Sequence, residues 1–350
     1  MYTDAAATPR CCGLTQPTSV WLVFAQEEQA MSRNMAIELA RVTEAAALAA
    51  SLHAGNGDKE MVDQAAVDAM RRTLQEIDEL EGLVVIGEGE KDAAPMLYNG
   101  EVIGSGPLKF DIAVDPIDGT TLMSKGLAGA IAVIAMSTRG SMNVPVEVFY
   151  MDKIAVGPAA KDAIDINLSK TENLQRIAKA LGKPINEVTV VVLDRPRHAE
   201  LLQEIRDAGA RVKLISDGDV AAGIQASLPG SEIDVLMGIG GTPEGVIVAA
   251  AMRCTGGAIQ CKPWPRDDAE REKCIAMGSL DKVYTTEDLC GGEDVYFSAT
   301  GATTGEMLKG VNVRAEGAST HTVVMSSHSG TIRWIESTHN FTRLDKMPPK

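Results

Sequence analysis

A turn with two carboxylates is the most informative feature of the chain, and it has the sequence DPIDGTT at residues 115–121. A short alternating run precedes Asp115, and we expect this run to be a strand that Pro116 ends. Asp115 and Asp118 would then leave the strand together, where a rigid turn can direct both at one cation. Gly119 and the start of a following helix would bring backbone N–H groups and a positive dipole end to an anion. This combination favours metal-assisted phosphate chemistry over a helix cap, which requires only one Asp.

Two earlier segments offer further charged groups. Lys59 and Asp63 are four residues apart, so they would stack on one helix face, either as part of a site or as a surface ion pair. Glu88, Glu90 and Asp92 crowd a glycine-flanked strand end, and the alternative for them is a solvated acidic loop. Both alternatives lose weight beside the two-aspartate turn, because a two-metal site requires carboxylates from separate elements.

Two later segments follow expected strands and carry complementary groups. Arg195 and Arg197 lie in the sequence DRPRH at residues 194–198, and their guanidiniums could bind phosphate bidentately or form salt bridges elsewhere. Asp217 and Asp219 flank a glycine after the next strand. They could hydrogen-bond sugar hydroxyls or cap a helix.

A glycine-rich segment follows a third strand, with the sequence GIGGTPEG at residues 238–245. It lacks the G-x-G-x-x-G spacing of dinucleotide-binding loops. It places Glu244 in the first turn of an expected helix beside flexible backbone. A carboxylate at that position could contribute to a site or serve only as a favourable cap.

The composition excludes several classes of protein. A chain of 350 residues is long enough for one two-lobed unit. Its net charge of −15 argues against a nucleic-acid partner, but not against an anionic substrate, since bound cations reverse the local field. No apolar run approaches the roughly 18 residues of a membrane span, so we expect no membrane partner. The six cysteines show no C-x-x-C pair and no His at zinc spacing, which indicates reduced thiols and a cytoplasmic protein.

The hydrophobic pattern predicts an α/β protein. Apolar spacing predicts helices over residues 34–53 and 59–77, and strands over residues 83–86, 112–114, 130–136 and 144–149. In the second half, strands over residues 188–193, 211–215 and 233–237 alternate with helices that start near residues 198, 217 and 243. That alternation predicts a parallel sheet with helices outside it. Strands return at residues 295–298, 322–326 and 331–335, and a lobe boundary is expected within residues 157–172.

In their order along the chain, these motifs resemble the class II fructose-1,6-bisphosphatases, from about residue 34 to about residue 339. The matching segments are residues 57–63, 86–98, 115–120, 195–198, 217–219 and 238–245. The DPIDGT turn alone is shared by the wider lithium-sensitive sugar and inositol phosphatase superfamily, whereas the later segments are specific to this branch. Gln64, residues 51–53 and residues 261–265 depart from the family pattern, but none of them removes an implied ligand.

The resemblance implies a layered α/β/α/β/α sugar-phosphatase fold with two lobes. Residues 34–165 would form a metal-binding phosphatase lobe and residues 166–340 a substrate-binding α/β lobe. Residues 1–33 would be a disordered extension or an artefact of start-site assignment, with Met31 as the natural start. The implied ligands of Mg²⁺ or Mn²⁺ are Asp63, Glu88, Asp115, Asp118 and Glu244. The implied catalytic residues are Lys59, Asp63 and Thr120, and the implied substrate contacts are Asp118, Gly119, Thr120, Tyr150, Arg195, Pro196, Arg197, Asp217, Gly218, Asp219 and Gly241.

The implied activity is removal of the 1-phosphate of fructose 1,6-bisphosphate, a step of gluconeogenesis. The implied partners are a small sugar bisphosphate and further copies of the chain in a homodimer or homotetramer. One alternative is a bifunctional enzyme that also hydrolyses sedoheptulose 1,7-bisphosphate, and another is a non-catalytic sugar-phosphate sensor. The presence of every implied metal ligand disfavours the sensor. An inositol phosphatase would have no use for the arginine pair and the Asp217–Asp219 segment.

Overall fold

The computed structural model describes residues 35–88 and 97–344. Three expectations lie outside these residues: the start at Met31, the extension over residues 1–33, and the contribution of Glu90 and Asp92. The described residues from Ala36 to Leu344 belong to one compact unit. The division into two lobes near residue 165 stays a prediction.

The helices begin and end close to the residues that the apolar spacing predicts. The first two are α1 (Met35–Ser51) and α2 (Lys59–Gln75), which confirm the helices expected there. Asp58 caps α2, since its side chain accepts a hydrogen bond from the N–H of Met61. The other α-helices are α3 (Thr120–Ser124), α4 (Lys170–Leu181), α5 (Ala199–Asp207), α6 (Asp219–Gln225), α7 (Thr242–Thr255), α8 (Asp268–Ala276), α9 (Thr286–Leu289) and α10 (Phe341–Leu344).

The strands form two sheets. In chain order they are β1 (Leu80–Ile86), β2 (Val102–Gly104), β3 (Leu108–Asp118), β4 (Ile131–Thr138), β5 (Tyr150–Val156), β6 (Thr189–Leu193), β7 (Arg211–Ile215), β8 (Val235–Gly241), β9 (Ala258–Trp264), β10 (Tyr284–Thr285), β11 (Val295–Gly301), β12 (Asn312–Arg314), β13 (Gly317–Ser326) and β14 (Thr331–Asn340). The first sheet has the order β12-β13-β11-β4-β3-β1-β2, and β14 pairs with β13. The second has the order β10-β9-β5-β8-β6-β7.

In the first sheet, β1 and β3 are parallel, so both end at the same edge. The expectation that Pro116 ends the strand is wrong, because β3 continues to Asp118. The pairing of β3 with β4 changes register between Asp115 and Asp118. This irregularity accommodates a proline, which has no N–H to donate to a neighbouring strand.

The second sheet is parallel only in part, which corrects the expectation of a parallel sheet. Strands β6, β7 and β8 run parallel, whereas β5, β9 and β10 pair antiparallel. The strand expected over residues 144–149 is also wrong, since β5 begins only at Tyr150. Pro145 lies within that stretch and cannot donate to a ladder, and Val146 is 81% exposed.

Helices and sheets alternate in five layers, which confirms the expected α/β/α/β/α fold. Helix α1 lies on the first sheet, where the Thr43 hydroxyl bonds those of Ser298 and Thr300 in β11. Helix α7 lies between the sheets, since its residues 246–252 share one buried cluster with side chains of β4, β11, β5 and β8. Helices α4 and α5 cover the outer face of the second sheet and bury Leu174 and Ile205 against β6 and β8.

The helices and the cysteines of the described residues can be compared with what the composition predicts. None of the helices in the described ranges is long and apolar enough to cross a membrane. Cys254, Cys261, Cys274 and Cys290 are buried free thiols, as expected. Cys11 and Cys12 lie outside the described residues.

Candidate active site

The two-aspartate turn closes β3 and leads directly into a short helix. Gly119 has φ of 87°, a left-handed conformation that glycine adopts without strain, and α3 starts at the next residue. Because β1 is parallel to β3, Glu88 emerges two residues beyond the end of β1 at the same edge. The expected helix after Gly119 is therefore confirmed, and carboxylates from two strands meet at one edge.

Five carboxylates form one electrostatic group, which we call the acidic cluster: Asp63, Glu88, Asp115, Asp118 and Glu244. Burial, followed by the negative charges of Asp63 and Glu244, raises the pKa of Glu88 to about 7. Burial, followed by the charge of Asp118, holds the pKa of Asp115 well above its ordinary value. Mutual repulsion among the five groups thus opposes full ionisation in the absence of a compensating cation.

Two oxygens of the acidic cluster lack hydrogen-bond partners among the described residues. They are Oδ2 of Asp118 and Oε2 of Glu244, and both are buried. Burial and the charge of Asp219 raise the pKa of Asp118, although a hydrogen bond from the N–H of Ala221 lowers it in part. An unpaired buried carboxylate oxygen is costly unless a ligand satisfies it.

Helix α2 brings Asp63 and Lys59 to the start of α3. The hydroxyl oxygen of Thr120 lies 2.9 Å from Oδ1 of Asp63 and 3.0 Å from the carbonyl oxygen of Ile117. Nζ of Lys59 donates to the hydroxyl of Thr121 at 2.6 Å. The predicted catalytic residues Lys59, Asp63 and Thr120 therefore lie next to one another at the start of α3. A surface ion pair between Lys59 and Asp63 alone would not place both residues against this helix.

The second sheet contributes its strand ends to the same site. Strands β6, β7 and β8 are parallel, so the segments after them lie along one edge. Tyr150 joins them because β5 is antiparallel: the first residue of β5 pairs with Gly241, the last residue of β8. The antiparallel course of β5 therefore explains why a residue at the start of a strand belongs to this edge.

One close contact joins the two edges. Gly218 has φ of +74°, and a Cβ on it would come within 3.2 Å of Oδ2 of Asp118. The segment after β7 thus lies directly against the turn after β3, and a side chain at residue 218 would occupy the space beside the unpaired oxygen. The predicted substrate-binding turn and the acidic cluster form one continuous site.

The two arginines of the segment after β6 have different partners. Nη2 of Arg195 donates to Oδ1 of Asp217 at 3.0 Å, and its Nη1 donates to the carbonyl oxygen of Ser216. Arg197 donates to the carbonyl oxygen of Ile239 from Nε and Nη2, at 3.3 and 2.9 Å. Its guanidinium carbon lies 4.7 Å from the centre of the Tyr150 ring. Arg197 has no ion pair within the described part of the chain, so its charge remains available to an anion.

Asp219 is buried in an ion pair with Lys153, whose Nζ lies 3.0 Å from Oδ2 of Asp219. The negative charge of Asp219 raises the pKa of Lys153 despite the opposing effect of burial. The contact of Asp219 with sugar hydroxyls stays a prediction. The alternative, that an aspartate of this segment caps the helix, is wrong, because the N-cap residue of α6 is Gly218, which makes no side-chain cap hydrogen bond. The motifs do not identify Lys153, although a lone lysine in the otherwise buried stretch KIAV of β5 is a usable signal.

No three His, Cys, Asp or Glu side chains in residues 35–88 and 97–344 come close enough together to hold one metal ion. The prediction that the acidic cluster binds a cation therefore depends on its chemistry: its donors are all oxygens, its pKa values are raised and two of its oxygens are unpaired. Binding of a cation stays a prediction.

Residues 33–339 match the family model described as bacterial fructose-1,6-bisphosphatase, glpX-encoded. The chain belongs to this family. It is 45% identical over 331 residues to fructose-1,6-bisphosphatase 1 class 2 of Escherichia coli strain K12, a match that covers 90% of this chain and 98% of the relative. It is 44% identical over 336 residues to the D-fructose 1,6-bisphosphatase class 2/sedoheptulose 1,7-bisphosphatase of Crocosphaera subtropica, covering 88% and 97%.

The family resemblance drawn from the motifs is thus confirmed. In this family member, the motif segments after β3, β6, β7 and β8 lie at adjoining sheet edges, as the site requires. The roles of the individual side chains stay predictions.

Proposed function

We propose that this phosphoric monoester hydrolase removes the 1-phosphate of fructose 1,6-bisphosphate and releases fructose 6-phosphate and phosphate. The contact between the turn after β3 and the segment after β7 supports this proposal most directly. It joins an acidic cluster suited to a cation and a scissile phosphate with an arginine-lined edge suited to a second phosphate. A substrate with two separated phosphates fits that arrangement.

The acidic cluster fits a hard divalent cation such as Mg²⁺ or Mn²⁺. Its five members supply only carboxylate oxygens, which such cations prefer. The unpaired oxygens of Asp118 and Glu244 and the raised pKa of Asp115 indicate negative charge that the protein alone does not compensate. When bound there, divalent cations would lower the pKa of a water molecule and neutralise charge on the phosphate.

Asp63 and Thr120 are placed to handle the proton of the attacking water. Thr120 lies within hydrogen-bond distance of Asp63, so its hydroxyl can accept a proton from water while it passes its own to the carboxylate. The burial that raises the pKa of Asp63 makes this carboxylate a better proton acceptor. Lys59 fixes the adjacent hydroxyl of Thr121 and thereby holds the start of α3 on α2.

The other end of the site would hold the remote phosphate and the sugar. Arg197 carries a positive charge without an ion-pair partner in the described ranges, and its guanidinium lies over the Tyr150 ring. Arg195 and Pro196 would complete the anion site, while Asp217, Gly218, Asp219 and Gly241 would border the sugar. Binding energy gained at this end would position the 1-phosphate over the acidic cluster.

A substrate panel tests the proposal directly. Phosphate release should be measured from fructose 1,6-bisphosphate, sedoheptulose 1,7-bisphosphate, fructose 1-phosphate and inositol 1-phosphate, each with Mg²⁺, with Mn²⁺ and with excess chelator. We expect fructose 1,6-bisphosphate to exceed the monophosphates in kcat/KM by about tenfold or more. A preference for inositol 1-phosphate would overturn the proposed substrate, and full turnover in chelator would overturn the role of the cation.

A bifunctional enzyme is the second candidate. The relative from Crocosphaera subtropica carries both activities in its name. In this chain, a cavity of about 610 Å³ borders Pro196, Arg197 and Trp264, so additional space adjoins the proposed remote-phosphate contacts. Comparable kcat/KM values for the two bisphosphates in the panel would establish it.

We further propose that the enzyme acts in gluconeogenesis in the cytoplasm as a homodimer or homotetramer. Light scattering during gel filtration measures the oligomer directly. A sugar-phosphate sensor on this scaffold would bind fructose 1,6-bisphosphate without releasing phosphate, an outcome that the same panel detects.

A further inference from the structure

The parallel pairing of β6 with β8 ends early. The two strands pair at Val190 with Val235 and at Val191 with Leu236, whereas β8 continues to Gly241. Beyond Leu236, the side of β8 that faces β6 pairs with no further residue of that strand. Buried backbone groups of this kind require other hydrogen-bond partners.

The His198 side chain takes the place of the missing strand. The imidazole is 1% exposed, and its Nε2 accepts a hydrogen bond from the N–H of Ile239 at 2.8 Å. Its Nδ1 lies 2.7 Å from the carbonyl oxygen of Leu193, the last residue of β6. Because Nε2 accepts, the proton is on Nδ1, which donates to Leu193, so the ring connects the two strands.

The same residue of β8 also holds Arg197. The carbonyl oxygen of Ile239 accepts from Nε and Nη2 of Arg197, so two consecutive side chains satisfy both backbone groups of Ile239. Gly238 makes this possible, because it has φ of +130° and a Cβ on it would come within 3.1 Å of Nε2 of His198. The peptide group that anchors Arg197 is thus fixed from its other side by His198.

Burial lowers the pKa of His198, and the positive charges of Arg197 and Arg195 lower it further, although the hydrogen bond to Leu193 opposes this. A neutral ring has a free electron pair on Nε2, as the bond from Ile239 requires. The lowered pKa therefore agrees with the geometry, in which Nε2 accepts and Nδ1 donates.

We propose that His198 is a positioning residue for the remote phosphate, because it fixes the Ile239 peptide that holds the Arg197 guanidinium. The inference rests on the proposed function and deepens it by naming a residue that determines the preference for bisphosphates. His198 itself need not touch the substrate. Its effect passes through Arg197, which lies over Tyr150 beside the cavity at the remote end of the site.

The test compares variants by the affinity of fructose 6-phosphate, a ligand that carries only the remote phosphate, measured by calorimetry. His198→Phe keeps a ring but loses both hydrogen bonds, and His198→Asn is too short to reach Ile239. We expect each to weaken fructose 6-phosphate binding by about tenfold. His198→Gln places an oxygen near the position of Nε2, can accept from Ile239, and should stay within about threefold of wild type. Inhibition by inorganic phosphate, which needs no remote contact, should be unchanged in all three.

A double-mutant cycle separates positioning from general loss of structure. If His198 acts through Arg197, then adding His198→Phe to Arg197→Ala should weaken fructose 6-phosphate binding no further than Arg197→Ala alone. Additive losses would overturn the proposal, as would a Gln variant as weak as the Phe variant. If His198→Phe does not fold, the contrast between Gln and Asn decides instead, and equal affinities for those two would overturn the inference.

This binding measurement also distinguishes the two proposals. A wild-type protein that binds fructose 6-phosphate in an Arg197-dependent manner but releases no phosphate from fructose 1,6-bisphosphate would contradict the proposed function alone. A fully active enzyme with unchanged affinity in all His198 variants would contradict the positioning role alone.

Discussion

Two acidic sites with buried carboxylate oxygens are satisfied to very different degrees. Oε1 of Glu44 in α1 accepts hydrogen bonds from the hydroxyls of Thr320, Thr322 and Ser337, at 3.2, 3.4 and 2.7 Å. In the acidic cluster, buried oxygens of Asp118 and Glu244 have no partner among the described residues. The first site is complete within the protein, whereas the second is electrostatically incomplete.

This difference separates a structural carboxylate from functional ones. A buried charge that the fold satisfies contributes to stability, and its removal should destabilise the protein without affecting chemistry. Carboxylates that repel one another contribute little to stability in the absence of cations, so their retention requires another role. Charge removal at the two sites should therefore have opposite consequences.

The largest effect is expected from Asp115→Asn. Loss of this charge should lower kcat by about 10³-fold or more, because the acidic cluster loses a group proposed to hold the cation. The free energy of unfolding in chelator should stay the same or rise, since repulsion with Asp118 and Glu244 decreases. Phosphate release and urea unfolding measure the two effects.

Asp111→Asn is the matched control, because Asp111 lies in the same strand but outside the acidic cluster. Its Oδ2 accepts from the N–H of Met142 at 3.1 Å. Its Oδ1 has no hydrogen-bond partner among the described residues, but Nε of Arg139 lies 3.6 Å away and compensates its charge. This variant should lose stability and keep its kcat. If Asp115→Asn retained more than about a tenth of wild-type kcat, Asp115 would not be a ligand.

The next effect concerns the pH dependence of stability in excess chelator. Burial and neighbouring charges raise the pKa of Glu88 from 4.5 to about 7, so the folded state holds this proton more tightly than the unfolded chain. Its contribution is fully present below pH 4.5 and is lost as the pH rises through about 7. The total is of the order of 3 kcal/mol as an upper bound.

Urea unfolding of wild type and Glu88→Gln between pH 5 and pH 8.5, taken as a difference, isolates this group. The variant should gain relative stability as the pH rises, and added Mg²⁺ should stabilise the wild type most at high pH, where Glu88 is ionised. A difference independent of pH would show that Glu88 is not part of the acidic cluster.

A smaller effect is expected from Thr120→Ala. Loss of the hydroxyl that lies 2.9 Å from Asp63 should lower kcat by about 10²-fold, or about 2.7 kcal/mol, with little change in KM. Thr120→Ser retains the hydroxyl and should recover most of the rate. A threonine that serves only as the start of α3 would instead give equal, small losses in both variants.

Local signals predicted much of the site, and long-range pairing accounts for most of what they missed. The residues of the turn around Asp115 and Asp118 are contiguous in the sequence, so the residue types alone predict its chemistry. The lone lysine in β5 indicates a buried charge but not its partner, because Lys153 and Asp219 are 66 residues apart. His198 was visible in its motif, but its role depends on where β6 stops pairing with β8.

Errors in the fold have similar causes. Alternating apolar residues predict where strands lie but not which strands pair, so the antiparallel pairing of β5 and β9 could not be predicted from the sequence. The stretch before Tyr150 has strand-like composition, yet Pro145 excludes a ladder. Pro116 does not end β3, because an irregularity in the pairing of β3 with β4 accommodates it.

The smallest effect that we predict tests the satisfied site. Glu44→Met keeps the length of the side chain but removes the acceptor of three hydroxyls. Two of these can turn to other partners, since Thr320 lies 2.9 Å from Nε2 of His339 and Thr322 lies 2.8 Å from Thr300. The loss should therefore be about 2 kcal/mol of unfolding free energy, less than three unpaired donors would cost. Glu44→Gln retains one acceptor oxygen and should lose about half as much. Glu38→Gln changes a half-buried residue in the same helix whose partner is the exposed Arg41, and it should stay within about 0.5 kcal/mol. Urea unfolding measures all three variants, and kcat should remain within about twofold of wild type in each.

A loss of activity in Glu44→Met that matched its loss of stability would mean that the two acidic sites are coupled. The distinction between a satisfied and an unsatisfied carboxylate would then no longer separate structure from function.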